Sequence, residues 1–452
     1  MIPVASFAGK KVAVFGLGGS GLVTAHALAA GGAEIACFDD DRARCERAWN
    51  EGLPVGDLRV ADFSSLDALV LSPGVPLTHP KPHWTVEKAR ATGLPVIGDI
   101  ELFERERRAA FPGARLVAIT GTNGKSTTTA LVGHLLAAAG RTVQVGGNIG
   151  RAALDLAPPA PGSFVVLECS SFQIDLAPSL APDVGIHLNL SPDHLDRHGT
   201  MENYAAIKER LVAAAAIAVV GVDDDLSAGI ADRLSGAGKP MFRISARRPV
   251  PDGVHAEGVW LFRNRQGNSE PIADLSGIVS LRGSHNAQNA AAAVAACLAV
   301  GLSPAEGTAG MADFPGLPHR LEEVGRRGSV AFVNDSKATN AQSTRQAQSA
   351  FDRVLWIAGG RQKEGGITDL ADLFGRVAKA YLIGESAQAF ASTLSGAVPF
   401  VVSGTLENAV AAAAEDAARL AAEGAPAPVV LLSPACASYD QFRTYEDRGE
   451  RV

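Results

Sequence analysis

The stretch Ala118-Ile119-Thr120-Gly121-Thr122-Asn123-Gly124-Lys125-Ser126-Thr127 constrains the fold of this chain more than any other. The apolar run Leu116–Thr120 reads as a strand, and Ser126–Ala139 reads as a helix. Between them, glycines let backbone N–H groups turn inward as an anion nest. The helix N-terminus adds partial positive charge. Lys125 offers a full charge to the β and γ phosphates of ATP, and Ser126 offers a hydroxyl to Mg²⁺. The common form of this loop has a glycine five residues before Gly124, where Ile119 stands here. A glycine turn with an incidental lysine is the plain alternative, but strand, Gly-Lys-Ser and helix coincide. Such a unit belongs in a parallel sheet whose ligands lie beyond the strand C-termini.

The rest of the chain repeats that grammar. Short apolar strands alternate with alanine-rich helices, which favours α/β architecture with parallel sheets. Strands are predicted at Lys11–Phe15, Ala33–Phe38, Ala68–Leu71, Phe164–Glu168, Val184–Leu190, Val330–Asn334, Val354–Ala358, Ala380–Ile383 and Pro428–Leu432. Helices are predicted at Gly21–Ala30, Asp99–Ala110, about 205–218 and Asn286–Val300. Residues 151–163 and 420–428 read as surface connections. With 452 residues and roughly 150 per domain, three domains are expected. Proline and glycine at Phe111-Pro112-Gly113 and Phe314-Pro315-Gly316-Leu317-Pro318 mark the joints. The expected division is 1–111, 112–316 and 317–452: a Rossmann-like N-terminal domain, a central P-loop ATPase-like mononucleotide-binding domain, and a C-terminal Rossmann-like domain.

Bulk properties exclude some functions. A formal net charge of −7 argues against a nucleic-acid partner. No apolar run approaches the roughly 20 residues that span a bilayer, so no membrane insertion is expected. The N-terminus lacks a basic segment followed by a long apolar one. Cys37, Cys45, Cys169, Cys297 and Cys436 are scattered without CxxC spacing, which suits reduced thiols in the cytoplasm.

Two further features belong to the strand ends. Glu168 closes the apolar run Phe164–Leu167 and could give Mg²⁺ the carboxylate it needs beside phosphates; a surface acid is the alternative. Gly16-Leu17-Gly18-Gly19-Ser20-Gly21 follows a strand and precedes a helix, with Asp39 ending the next strand. Alone, this fits NAD, a uridine diphosphate, or a structural glycine turn. Ser72-Pro73-Gly74 follows another strand and faces the same crevice.

The loop Gly121–Thr127 resembles the signature of the Mur ligases, which build the peptide of bacterial cell-wall precursors, and Ile119 is usual there. Asn189-Leu190-Ser191-Pro192-Asp193-His194-Leu195-Asp196 resembles the family's middle-domain histidine motif. Gly283-Ser284-His285-Asn286 with Asn289, and Leu317-Pro318-His319-Arg320, resemble two more family motifs. Asn334-Asp335-Ser336-Lys337-Ala338-Thr339-Asn340 and Leu432–Phe442 resemble the D-glutamate-adding branch in particular.

The resemblance implies the partners ATP, UDP-N-acetylmuramoyl-L-alanine and D-glutamate, two Mg²⁺ ions, and an acyl-phosphate route. It implies ATP contacts from Gly121, Thr122, Asn123, Gly124, Lys125, Ser126, Thr127, Asn289, Arg320 and Asp335. It places one Mg²⁺ with Ser126 and Glu168 and a second near His194 and a carbamylated Lys208, with Lys337 near the reacting phosphate. From the residues alone, Lys208 would be a solvated helix lysine and His194 an ordinary loop histidine. Gly19, Ser20, Asp39, Ser72, Pro73, Gly74 and Asn148 match the uridine-substrate positions. Thr339, Lys363, Ser438, Tyr439 and Tyr445 match the D-glutamate positions. Tyr439 stands where leucine is common and Tyr445 where phenylalanine is usual. Asp40-Asp41-Arg42 replaces a hydroxyl residue followed by arginine. A monomer is expected. The competing expectations are a preference for another amino acid such as L-glutamate, a dinucleotide oxidoreductase built on Gly16–Gly21, and a nucleotide-dependent switch.

Overall fold

The computed structural model describes residues 1–363, 365–424 and 427–452. Its strands form three large sheets and one two-stranded ladder. The first sheet is parallel, in the order Glu34–Phe38, Lys11–Phe15, Ala68–Leu71, Val96–Ile97. The second has nine strands. Its parallel part runs Gly253–Glu257, Met241–Ser245, Ile217–Gly221, Val184–His187, Arg115–Thr120, Phe164–Glu168, Val143–Gly147. Trp260–Arg265 and Asn268–Asp274 extend one edge antiparallel. The third has six strands in the order Glu322–Arg327, Val330–Asn334, Val429–Leu432, Val354–Gly359, Val377–Ile383, Phe400–Gly404, antiparallel only in the first pair.

The central strands are apolar because helices cover both faces. Leu116 to Ile119, Val165 to Leu167, and Leu355 to Ala358 are all essentially inaccessible. Continuous apolar runs of that kind are what a buried parallel sheet requires. The expected α/β class is therefore the observed one.

Contacts group the chain into two compact units. One holds Met1–Asp274 with Gln288–Ala312, and so carries the first two sheets. The other holds Leu275–Ala287 with Asp313–Val452 and carries the third. Within the first unit, the helix Asp99–Ala110 is the seam between its two sheets. It reads as charged, yet Glu101, Glu104 and Glu106 are buried. Each finds donors there. Glu101 accepts from Arg105 Nε (2.8 Å) and from the Ser179 amide and hydroxyl (2.8 Å each). Glu104 accepts from Arg107 and Arg108, and Glu106 from the Ser6 amide at 2.6 Å. Buried acids persist only when paired in this way.

Several expectations need correcting. The helix expected at about 205–218 spans Met201–Ala214, started by the Thr200 side chain accepting from the Asn203 amide. The following Ile217–Gly221 is a strand, since its β-branched run pairs with Val184–His187 and Met241–Ser245. The strand expected to reach Leu190 ends at His187, because the chain then turns to brace the loop at Thr122. In the 151–163 connection, Ala153 and Leu154 are buried. The 420–428 connection starts inside the helix Leu406–Ala422, and its Ala425 and Pro426 lie outside the described residues.

Candidate active site

The loop Gly121–Gly124 leaves the strand Arg115–Thr120 and enters the helix Lys125–Ala138. Gly124 has φ +83°, and a Cβ there would fall 2.2 Å from Asn289 Oδ1. Gly121 has φ +151°, with Leu188 Cβ 2.9 Å from its missing side chain. Both positions need glycine for conformation and for room.

A hydrogen-bonded cradle fixes this loop from outside. The Thr122 amide donates to the Asn189 carbonyl (3.0 Å) and the Asn123 amide to Asn189 Oδ1 (2.9 Å). Asn189 Nδ2 donates to the Asn123 carbonyl and to Gln288 Oε1, and Gln288 in turn donates to Asp223 (2.8 Å). Thr128 Oγ1 donates to Asn289 Oδ1 at 3.2 Å. Lys125 folds its ammonium back on the Gly121 and Thr122 carbonyls, at 2.9 and 2.7 Å. Those carbonyls hold the lysine over the nest that an anion would enter. Sequence reasoning gave no role to Asn189, Gln288, Asp223, Thr120 or Tyr204. Only Asn189 carried a signal, as the first residue of the histidine motif.

Glu168 lies one strand away, level with Ile119. It is 2% exposed. One carboxylate oxygen accepts from Asn148 Nδ2 at 2.8 Å, and the other is buried without a partner. The surface-acid alternative is therefore wrong. A bare carboxylate oxygen in a buried site is costly unless a cation or donor joins it. Asn148 holds Glu168, and the Asn148 amide also donates to the Glu168 carbonyl (2.9 Å).

Lys208, on the helix Met201–Ala214, is 1% exposed and so is not a solvated lysine. Its amine donates to the Gly121 carbonyl (2.8 Å) and to Thr120 Oγ1 (3.2 Å), and lies 4.7 Å from the Tyr204 ring centroid. Burial, and then the charge of Lys125, hold it well below the ordinary lysine range. A neutral amine beside the nest is the form that can react with carbon dioxide.

His194 precedes the short helix Leu195–His198 with φ +54°, a left-handed conformation. Its ring is half-exposed, edge-on to Phe172 at 4.9 Å, with Asp193 at 3.6 Å. His198 stacks on the same Phe172 and bonds Ser171 at 2.9 Å; burial pushes it down to about 4. No cluster of three His, Cys, Asp or Glu side chains that could hold a metal occurs among the described residues. The donors near the loop are mixed: a hydroxyl, a carboxylate, an imidazole and an amine.

At the first sheet, Gly18 caps the helix Gly19–Ala30, so Gly19 and Ser20 form its first turn. A Cβ on Gly21 would overlap the Gly16 carbonyl at 1.8 Å, so that glycine serves close helix–strand packing. Asp39 is buried and accepts the Leu17 amide at 2.6 Å and the Asp41 amide at 2.9 Å, one on each oxygen. Those bonds tie the glycine loop to the next strand. Asp40 pairs with Arg59 (2.8 Å) and His83 (3.0 Å), and Arg59 lies over the Phe38 and Trp84 rings. The Ser72 amide donates to the Phe15 carbonyl, and the Pro73 and Gly74 carbonyls accept from Arg197.

In the second unit, Asp335 follows the strand Val330–Asn334 and is buried. It accepts from Ser433 Oγ (2.8 Å) and from the Leu321 amide (3.3 Å). Burial raises its carboxyl to about 7 against those hydrogen bonds. Arg320 lies between His319 and Leu321, both with positive φ. Lys337 sits 3.8 Å from the Tyr445 ring centroid. Arg448 donates to the Ser336 hydroxyl (2.9 Å) and to the Ser336 and Cys436 carbonyls, locking the C-terminal helix Tyr445–Gly449 onto the Asn334–Lys337 turn. Arg361–Gln362 pairs antiparallel with Cys436–Ala437, so Lys363 and Ser438 continue from opposite ends of that ladder. Ser438 is buried, Lys363 is exposed, and Thr339 and Tyr445 are half-buried. Tyr439 is 69% exposed.

A nest-bearing parallel sheet, a buried carboxylate level with it and a buried lysine beside it together make a candidate phosphate site. The family model for the Mur ligase middle domain matches residues 119–297. The UDP-N-acetylmuramoylalanine–D-glutamate ligase of Agrobacterium fabrum is 60% identical over 450 residues, covering all of this chain and 95% of that one. Its namesake from Brucella abortus is 59% identical over 451 residues, covering 100% and 96%. The chain belongs to the family of UDP-N-acetylmuramoylalanine–D-glutamate ligases. Among solved structures, MurF of Acinetobacter baumannii aligns with a TM-score of 0.60 over 100% of this chain and 93% of that one. The UDP-N-acetylmuramate-alanine ligase of Thermotoga maritima aligns at 0.56 over 94% and 96%. Both are 17% identical, so they speak to the fold alone.

Proposed function

We infer that this chain joins D-glutamate to UDP-N-acetylmuramoyl-L-alanine at the expense of ATP, releasing ADP and phosphate. A carboxylate is a poor electrophile. Transfer of the γ-phosphoryl group to its oxygen makes an acyl phosphate; the amine of D-glutamate attacks the carbonyl carbon, and phosphate leaves with that oxygen. The observation that carries this reading is the unpartnered, buried oxygen of Glu168 level with a braced phosphate nest.

Phosphate and carboxylate repel, so cations must screen them. Lys125 is held at the nest for that purpose. Ser126 and Glu168 would hold one Mg²⁺, and His194 with a carbamate on Lys208 a second. Bound there, the ions would neutralise phosphate charge and make the phosphorus more electrophilic. Carbamylation converts the neutral Lys208 amine and carbon dioxide into an anionic ligand and a proton. Its burial, which disfavours the charged ammonium, supports that reading.

The nucleotide contacts are read onto Gly121 to Thr127, Asn289, Arg320 and Asp335. The uridine substrate is read onto Gly19, Ser20, Asp39, Ser72, Pro73, Gly74 and Asn148. D-Glutamate is read onto Thr339, Lys363, Ser438, Tyr439 and Tyr445, with Lys337 near the reacting phosphate. Two acidic groups on that substrate call for such donors and a cation. We also keep the division 1–111, 112–316 and 317–452, one sheet to each segment. A monomer in the cytoplasm is the proposed working form, and the five unpaired cysteines suit a reducing compartment.

The acyl-phosphate route is tested with ¹⁸O in the substrate carboxylate. One labelled oxygen should leave in the released phosphate for each turnover. Unlabelled phosphate would overturn the route.

A further inference from the structure

Arg197 lies outside every role assigned above, yet it clasps the loop read as holding the uridine diphosphate. Its Nη1 donates to the Gly74 carbonyl at 2.9 Å, and its Nη2 to the carbonyls of Val75 (2.9 Å) and Pro73 (3.4 Å). The guanidinium lies 4.6 Å over the Phe172 ring, and that ring also meets His194 edge-on at 4.9 Å. The clasp is reciprocal: Thr78 Oγ1 donates to the Arg197 carbonyl, and the His79 ring lies against Gly199. Three carbonyls of one turn thus point at one cation. In a trans peptide the N–H is opposed to the C=O. Drawing the Pro73 carbonyl toward Arg197 therefore turns the Gly74 amide the other way. The Val75 amide is spent on the Ser72 carbonyl at 3.0 Å, which closes the turn.

We propose that Arg197 is a positioning residue for the uridine-diphosphate substrate. It aims the Gly74 amide at the diphosphate and ties that turn, through Phe172, to the segment that carries His194. The proposal rests on the reading of Ser72–Gly74 as a diphosphate site, and its test separates the two. Binding of UDP and of UDP-N-acetylmuramoyl-L-alanine is measured by calorimetry on the full chain, for wild type, Arg197→Lys and Arg197→Ala. Steady-state kinetics and melting temperature accompany it. Lysine keeps the charge but loses the planar fork.

Both variants should weaken UDP binding and raise the KM for the uridine substrate at least tenfold, with the KM for ATP within twofold. Millimolar guanidinium should restore part of the binding in Arg197→Ala and none in wild type. UDP affinity within twofold of wild type in both variants would overturn the proposal. So would weakened binding of UDP and ATP alike with a lowered melting temperature and no guanidinium rescue, which is the signature of a merely structural arginine. Failure of wild type to bind UDP at all overturns the reading of the turn itself.

Discussion

Burial decides the chemistry of individual residues here. Lys208 would be an ordinary solvated lysine by its place in an amphipathic helix, but the protein buries it against the Gly121 carbonyl and the Thr120 hydroxyl. The cost of keeping a charge there favours the neutral amine. Lys208→Ala should lose at least about 100-fold in rate, the scale of removing an electrostatic partner in an active site. Added formate or acetate should restore part of it, by standing in for the carbamate; full activity without added carboxylate contradicts this role. Asp335 offers a pH test. Its carboxyl is raised to about 7, against an ordinary value near 3.9. Between those values the folded state holds a proton that the unfolded chain has released. Stability therefore falls as pH rises through that window, and the penalty is complete above it. The melting temperature of wild type should rise relative to that of Asp335→Asn as pH is lowered from about 7 to about 5. A difference that does not change with pH would show that Asp335 is not the titrating group.

At the scale of elements, the phosphate loop works because other elements hold it. Gly124→Ala would place a methyl group 2.2 Å from Asn289 Oδ1 at φ +83°. It should abolish ATP turnover while the far-UV circular dichroism stays native; turnover near the wild-type rate would mean the loop can relax. Asn189→Ala removes bonds to both the amide and the carbonyl of Asn123. It should raise the KM for ATP about tenfold or more, since two part-buried bonds of about 1 kcal/mol each are lost. An unchanged KM for ATP argues against the cradle. This is also where sequence and structure part. The nest and its flanking strand and helix were legible because glycine, lysine and hydroxyl residues act through the local backbone. The motif around His194 was legible as a string, but Arg197 within reach of Pro73 to Val75 was not. That partnership joins residues 122 to 124 apart in the chain. Likewise the charged helix Asp99–Ala110 gave no sign that its acids face inward, because the partners Ser6 and Ser179 sit far away in sequence.

At the scale of the whole molecule, three mainly parallel sheets give a chain several sets of strand C-termini at which anions can be held. The second sheet carries the nest, the first two glycine-bearing turns, the third a buried acid and a lysine. A switch would need the nest alone, and a dinucleotide oxidoreductase only the glycine turn Gly16–Gly21. The first leaves Lys337, Lys363 and Ser438 without a purpose. The second leaves the nest and the buried Glu168 without a purpose. Among the described residues no helix is long and apolar enough to cross a membrane.

The measurement that bears most directly on this account is phosphate release from ATP across a panel of nucleotide precursors and amino acids. Release should require UDP-N-acetylmuramoyl-L-alanine and D-glutamate together. Turnover with L-glutamate and not D-glutamate would contradict the stereochemical claim, and equal phosphate release without either substrate would contradict the ligase itself.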